Sequence, residues 1–211
     1  MRTYGVSAFA QVQHGHAHMV DELLFFNTVY LGKAELLQRT RLFVTNKLVP
    51  HSRHDDHALL RTKLLWVARR AGKCHSRLVA NEAAVLGTLS HWASASAAWG
   101  KGTFELHVFE GEESFADTVR LFARAVLVAG LHGAGTANVL FSPVRTAVLE
   151  ANACGFNSMV HLSRMLGHTY WPCFASCDHH AGIFFDIDVH HFNTTVGAAL
   201  RQYVRGTAAE H

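Results

Sequence analysis

Residues 128–141 read VAGLHGAGTANVLF. An apolar run enters a stretch holding Gly130, Gly133 and Gly135, with His132 among them, and leaves into small and apolar residues. A buried strand that ends in glycine and turns into a helix leaves backbone N–H groups at the helix start, where the dipole favours an anion. Glycine also permits positive φ and lets a bulky phosphate come close to the backbone. Open α/β sheets bind their ligands at the carboxyl ends of strands. His132 opens the turn, where an imidazole can donate to a phosphate oxygen or cap the turn. A tight, well-packed turn with no ligand accounts for the same residues. Glu150 tips the reading towards a nucleotide. It ends the segment TAVLE, where a carboxylate can accept from two ribose hydroxyls, the role an acid plays about 20 residues on in dinucleotide sites. The spacing Gly133-x-Gly135-x-x-Asn138 departs from GxGxxG at its third glycine and no Walker lysine follows, which speaks against NAD and against a P-loop.

Working outward, the chain alternates strand and helix patterns. KLLWVAR, FELHVFE, VLVAG, TAVLE, HTYWPCF and IFFDID read as strands or extended segments. ANEAAVLGTLSHWASAS reads as a helix with Asn81 at its cap, and SFADTVRLFARA as one capped by Ser114. A helix runs through TANVLF, NSMVHLSRMLG ends at Gly167, and VHHFNTTVGAALRQYVR closes the chain. Such alternation with short links predicts a parallel sheet covered on both faces: one Rossmann-like α/β domain over residues 60–205. Residues 1–50 form a separate first segment. In it Met19, Leu23, Phe26, Val29 and Tyr30 have helical spacing and RLFVT reads as a short strand. The polar stretch 49–56, VPHSRHDD, is the expected linker.

Composition narrows the function. The 211 residues are 49% hydrophobic and 17% charged, as for an ordinary globular chain. The formal charge of +3 comes from fourteen arginines and five lysines against 16 acids. That is too mild and too scattered for a duplex-binding protein, yet it suits a pocket for phosphate or carboxylate. No basic stripe with interleaved aromatics points to nucleic acid. The twenty uncharged residues between Arg124 and Arg145 contain three glycines, His132, Asn138 and Pro143, which argues against a membrane span. No signal-peptide pattern opens the sequence, and the compartment stays open. Four cysteines are too few for a disulfide framework at this length.

SFADTVRLFARAVLVAGLHGAGTANVLF followed by AVLE resembles the signature of glycosyltransferase family 61: a helix of the type SFxEQVxLFxxA, an apolar strand, HGAGLxN, and a strand ending in Glu. Upstream, LLWVARR and SRLVANEAAVLGTL are similar to the family's strand and its Arg/Asn-Glu motif. Downstream, HLSRMLGHTYW is similar to a segment carrying an aromatic, a Leu-Gly pair and a Tyr. The resemblance covers residues 60–200. It implies a GT-B glycosyltransferase whose Rossmann-like domain holds a UDP-sugar, with inverting, metal-independent transfer of GlcNAc or xylose to a hydroxyl of a protein or glycan acceptor. The nucleotide sugar is then a substrate, and no cofactor is implied. Carried over residue by residue, His132, Gly133, Ala134, Gly135 and Asn138 would face the diphosphate or sugar, and Glu150 the ribose. Arg70 and Arg77 would neutralise phosphate, while Asn81 and Glu82 would cap their helix and orient the arginine. Arg69 reads as a solvated strand end. In the first segment HMVDELL fits the family motif HWLxD/E-x-L, so that His18 and Glu22, four apart on one helix face, would supply the catalytic base. Asp21 faces elsewhere.

Two departures stand out. Fifty residues are too few for a full first domain, so the N-terminal part reads as truncated, and the chain as a fragment or a reduced member. Thr136 follows HGAG where a leucine is usual. The competing readings are a nucleotide-binding remnant without turnover and a His-rich metal-binding protein. The latter draws on seventeen histidines, grouped as His14, His16 and His18, as His51, His54 and His57 with Asp55 and Asp56, and as Asp178, His179 and His180. These groups are spread over the whole chain, more as a composition bias than as a site, and no metal site is assigned. Asn193-Thr194-Thr195 is a glycosylation sequon.

Overall fold

The computed structural model describes residues 9–13, 16–20, 34–49, 61–70, 78–99, 103–151, 158–177 and 184–208. The chain divides into two compact units, Met1–Lys33 and Ala34–His211. In the first, strands β1 (Phe9–Gln13) and β2 (His16–Val20) pair antiparallel. The helix expected from Met19 onward therefore does not hold at its start, and residues 21–33 lie outside the described residues. Residues 10–13, AQVQ, and 16–19, HAHM, alternate apolar with polar residues, the period of a strand. Helix α1 (Ala34–Leu48) belongs to the second unit and contains RLFVT, expected as a strand. Leu37 and Thr40 are buried on one side of it, and the Thr40 and Thr45 hydroxyls donate to the carbonyls of Leu36 and Arg41 at 2.9 and 2.7 Å. A helical burial stripe has overridden the β-branched propensity of a five-residue window.

The second unit is built on five parallel strands: β3 (Lys63–Val67), β5 (Glu105–Phe109), β6 (Ala125–Leu131), β7 (Ala147–Ala151) and β8 (Thr169–Cys173). Their order across the sheet is β5-β3-β6-β7-β8, a doubly wound, Rossmann-like arrangement that bears out the α/β reading. A second small sheet joins β4 (Leu78–Val79), β10 (Phe184–Ile187) and β9 (Ala175–Cys177) in the order β4-β10-β9. Helices α2 (Glu82–Ala95) and α5 (Val189–Ala208) pack together over one face of the main sheet. Helices α3 (Phe115–Phe122) and α4 (Ser158–Leu166), with α1, lie over the other.

The alternation of strands dictates these layers. Leu64, Trp66, Leu127, Ala129, Ala147 and Leu149 join Val85, Leu89, Phe192, Val196 and Leu200 in one core. Their neighbours Leu65, Val67, Val128 and Val148 are buried too, with Val119 and Phe122 of α3. Each fully buried leucine contributes about 1.5–3 kcal/mol. Local signals in the sequence act where expected. Ser114 Oγ accepts from Asp117 N at 3.1 Å to cap α3. Gly167, at φ +72°, ends α4 by sending Gly167 N to Arg164 O and His168 N to Ser163 O, the two bonds of a Schellman stop.

At the amino ends of the strands His168 is buried, with Nε2 3.0 Å from Val139 O and no partner on Nδ1 among the described residues. Burial, assisted by the nearby guanidinium groups of Arg41 and Arg61, lowers its pKa from 6.5 to about 4. The folded state thus keeps this ring neutral where the unfolded chain takes up a proton. Its contribution to stability is complete above pH 7 and fades as pH falls from 6.5 towards 4, by about 3 kcal/mol in all. Urea midpoints of wild type should fall across that window. In His168→Gln the part of the slope due to this ring should vanish.

Candidate functional site

The strand order β5-β3-β6 places a switch point between β3 and β6: the chain leaves β3 to one side and returns from β5 to the other. Ligands bind outside the carboxyl ends of the two strands at such a point. Ala68, Arg69 and Arg70 follow β3, and His132, Gly133, Ala134 and Gly135 follow β6.

All seven residues of β6 are buried, so the chain becomes polar where the strand stops. The helix expected next is a six-residue 3-10 helix, Thr136–Phe141. Its first N–H groups are used within the turn: Thr136 N, Ala137 N and Asn138 N donate to the carbonyls of Gly133, Ala134 and Gly135. Asn138 Nδ2 adds a bond to Gly135 O at 3.0 Å. Thr136, the departure noted above, is fully buried, and its hydroxyl donates to Leu131 O at 2.9 Å, pinning the turn to the end of β6. The backbone N–H groups of Gly133, Ala134 and Gly135 donate to no group among the described residues. Three successive donors of this kind suit an oxyanion, and a 3-10 helix of this length contributes little dipole to the binding.

The glycines have separate reasons. A Cβ on Gly133 would stand 1.5 Å from Arg69 Nη2, and one on Gly135 would stand 2.8 Å from Val67 Cγ1. Gly135 lets the turn settle on the end of β3, while Gly133 admits a guanidinium. Arg69 lies along the turn, with Nη2 donating to His132 O at 2.8 Å. It is part-buried rather than the solvated strand end expected. Arg70, expected to meet phosphate, is held by two carboxylates: Nη1 to Glu82 Oε2 at 2.6 Å and Nε to Glu110 Oε1 at 2.7 Å. Burial would lower its pKa, but the bonds from Glu110 and Glu82 outweigh that and raise it. Glu82 also accepts from Trp66 Nε1 at 2.6 Å. Arg70 thereby ties β3, β5 and α2 together.

Glu82 accepts from Arg70 within this network. Asn81 does not cap α2 with its side chain. Its carboxamide pairs with the backbone of β10, Nδ2 to Ile187 O at 2.7 Å and Oδ1 from Ile187 N at 3.1 Å. Glu150, expected to receive ribose hydroxyls, faces inward: it has no exposed surface. Its Oε1 lies 2.6 Å from His132 Nδ1, and its Oε2 accepts from the Tyr170 hydroxyl at 2.6 Å. Burial and that bond push the phenol of Tyr170 well above its ordinary pKa. His18 stands in β2 opposite Gln11, so the i, i+4 helical pairing with Glu22 does not apply to it. Glu22 and Arg77 lie outside the described residues. So do His14 and the groups at residues 51–57 and 178–180. Among the described residues no cluster of three His, Cys, Asp or Glu could hold a metal, and no helix is long and apolar enough to cross a membrane.

Tyr170 and Arg69 are the side chains at the candidate site to which sequence reading gave no part. Tyr170 lies one strand away from Glu150, and the β7–β8 register pairs Val148 with Tyr170, which puts it on the same face as Glu150. Only that register brings it to the carboxylate.

A glycosyltransferase 61 family model matches residues 8–149 of this chain. No curated protein matches it.

The glycine geometry sets a contrast that can be measured. Gly133→Ala should cost about 1–3 kcal/mol, because the Arg69 guanidinium must leave the turn. Gly87→Ala, in the exposed face of α2 with nothing within 4 Å, should add roughly 0.5–1 kcal/mol. Urea midpoints of the two variants against wild type test both signs.

Proposed function

Because the chain belongs to glycosyltransferase family 61, we propose that its second unit binds a UDP-sugar at the β3–β6 switch point and serves inverting, metal-independent transfer. The single observation that carries the reading is the turn after β6. It offers three successive N–H donors with Arg69 alongside and His132 at its head. A diphosphate carries its charge on oxygens that such donors meet directly, and a guanidinium adds fixed positive charge matched to phosphate geometry. In the transfer, an acceptor hydroxyl oxygen attacks the anomeric carbon from the face opposite the nucleotide. The bond from that carbon to the β-phosphate oxygen breaks, and its electron pair stays on the phosphate. The turn's N–H groups and Arg69 stabilise that charge as it develops, the work a divalent cation does in metal-dependent transfer. The acceptor's proton goes to a base, for which Glu22 remains the proposal from sequence. GlcNAc and xylose are the proposed sugars, a hydroxyl of a protein or glycan is the acceptor, and the second unit is read as the donor-binding domain of a GT-B enzyme.

Thermal shift with UDP, UDP-GlcNAc, UDP-xylose and NAD tests the donor site. At a hundredfold excess over Kd a uridine nucleotide should stabilise the fold by about 2.7 kcal/mol, several degrees in Tm. NAD should give nothing. His132→Ala and Gly133→Ala should bind at least about tenfold more weakly. UDP release from a UDP-sugar with acceptor present should be unchanged by EDTA. Silence from every uridine nucleotide would sink the donor-site reading. Binding without turnover would instead identify a nucleotide-holding remnant.

A further inference from the structure

Glu150 is a carboxylate with no exposed surface in a strand whose other residues are aliphatic. Such a group is costly to bury unless each oxygen is met, and here each is, by a different side chain from a different strand end. Oε1 faces Nδ1 of His132, which follows β6, and Oε2 accepts from the hydroxyl of Tyr170 on β8, both at 2.6 Å. Within the sheet Glu150 pairs in register with Gly130. A Cβ on Gly130 would stand 3.0 Å from Val67 Cβ, so that position stays bare beside the carboxylate. A hydrophobic trio of similar size would stabilise the core at least as well. The polar trio does what an apolar one cannot: it fixes the orientation of one imidazole at the mouth of the site.

We infer that Tyr170 is a positioning residue of the donor site, holding Glu150 so that its other oxygen sets the ring of His132 at the head of the glycine turn. The inference rests on the donor-site reading above. The Nδ1–H of His132 donates to Glu150, and the ring then presents Nε2 as its second polar atom. Tyr170 reaches no phosphate itself. Its hydroxyl occupies Oε2 and leaves Oε1 in line with the imidazole. Without it the carboxylate is free to rotate, and the ring with it.

The test is a double-variant cycle on UDP affinity by calorimetry, with Tyr170→Phe, Glu150→Gln and the pair, each checked for folding by circular dichroism. Nitrogen-15 histidine spectra of the full chain are recorded beside it. Tyr170→Phe should weaken UDP binding about tenfold. In the Glu150→Gln background it should add almost nothing, since both act through one ring. The spectra should show a downfield proton on His132 Nδ1 that Tyr170→Phe shifts. A Tyr170→Phe chain that is merely less stable, yet binds UDP as wild type does with the His132 signal unmoved, overturns the inference. So do additive losses in the cycle. If Glu150→Gln fails to fold, Tyr170→Phe with its spectrum decides alone. A wild type that binds no uridine nucleotide brings down the donor-site reading, and this role with it. A wild type that binds, beside an equally competent Tyr170→Phe, brings down only the role.

Discussion

Strand β6 is hydrogen-bonded along both edges, to β3 and to β7, and its seven residues are all buried. A strand so enclosed can carry a polar side chain only where partners meet it, as Glu150 is met in β7, and β6 carries none. The chain can turn polar only where β6 stops, and it does so at once, with His132 followed by Gly-Ala-Gly. Strand order then makes that stop the switch point of the sheet. The place of the site is thus a consequence of the core: the strand that holds the layers together also delivers its end to the one crevice the topology opens.

Around that crevice two adjacent arginines are sorted by their surroundings. Both follow β3, and their side chains go to different partners. Arg70 meets Glu82 and Glu110, so its charge is spent on tying two strands and a helix together. Arg69 meets a backbone carbonyl and the bare face of a glycine. An arginine already paired with two acids is a poor phosphate ligand, because binding an anion would have to displace them. The family resemblance points to the arginines of this strand end and of the next helix, and only side-chain geometry separates the one that builds the site from the one that faces it.

Much of this was legible beforehand because it is local. Ser114 before a helical pattern and Gly167 after one announce a start and a stop, and both caps form. Apolar runs such as KLLWV and AVLVAGL can only be buried strands in this pattern, and they are. The HGAG stretch marked the strand end that faces the switch point of the sheet. What stayed hidden depends on partners distant in sequence. Asn81 stands at a cap position with a capping side chain, yet an unpaired stretch of β10 backbone offers it two bonds at once. Glu150 looks like a ligand-facing acid at a strand end, and only the β7–β8 register shows that a tyrosine is waiting for it. RLFVT has strand propensity, and the core wanted a helix.

Two arginines at the amino ends of the sheet meet acceptors of a different kind from those of Arg70. At the amino ends Arg41 donates to Ser142 O and Leu166 O, and Arg61 to Val144 O. Carbonyls are fixed, neutral acceptors, so these arginines staple loops whose geometry no ligand needs to change. His168 among them is kept neutral by the same burial. At the carboxyl ends Arg69 meets a carbonyl, but two carboxylates there are shared, Glu82 between Arg70 and Trp66 and Glu150 between His132 and Tyr170. A shared carboxylate couples the orientation of its two partners, so moving one side chain re-aims the other. Coupling of that kind would be a liability in a loop staple. At the proposed site it links a buried strand to the part-buried imidazole of His132.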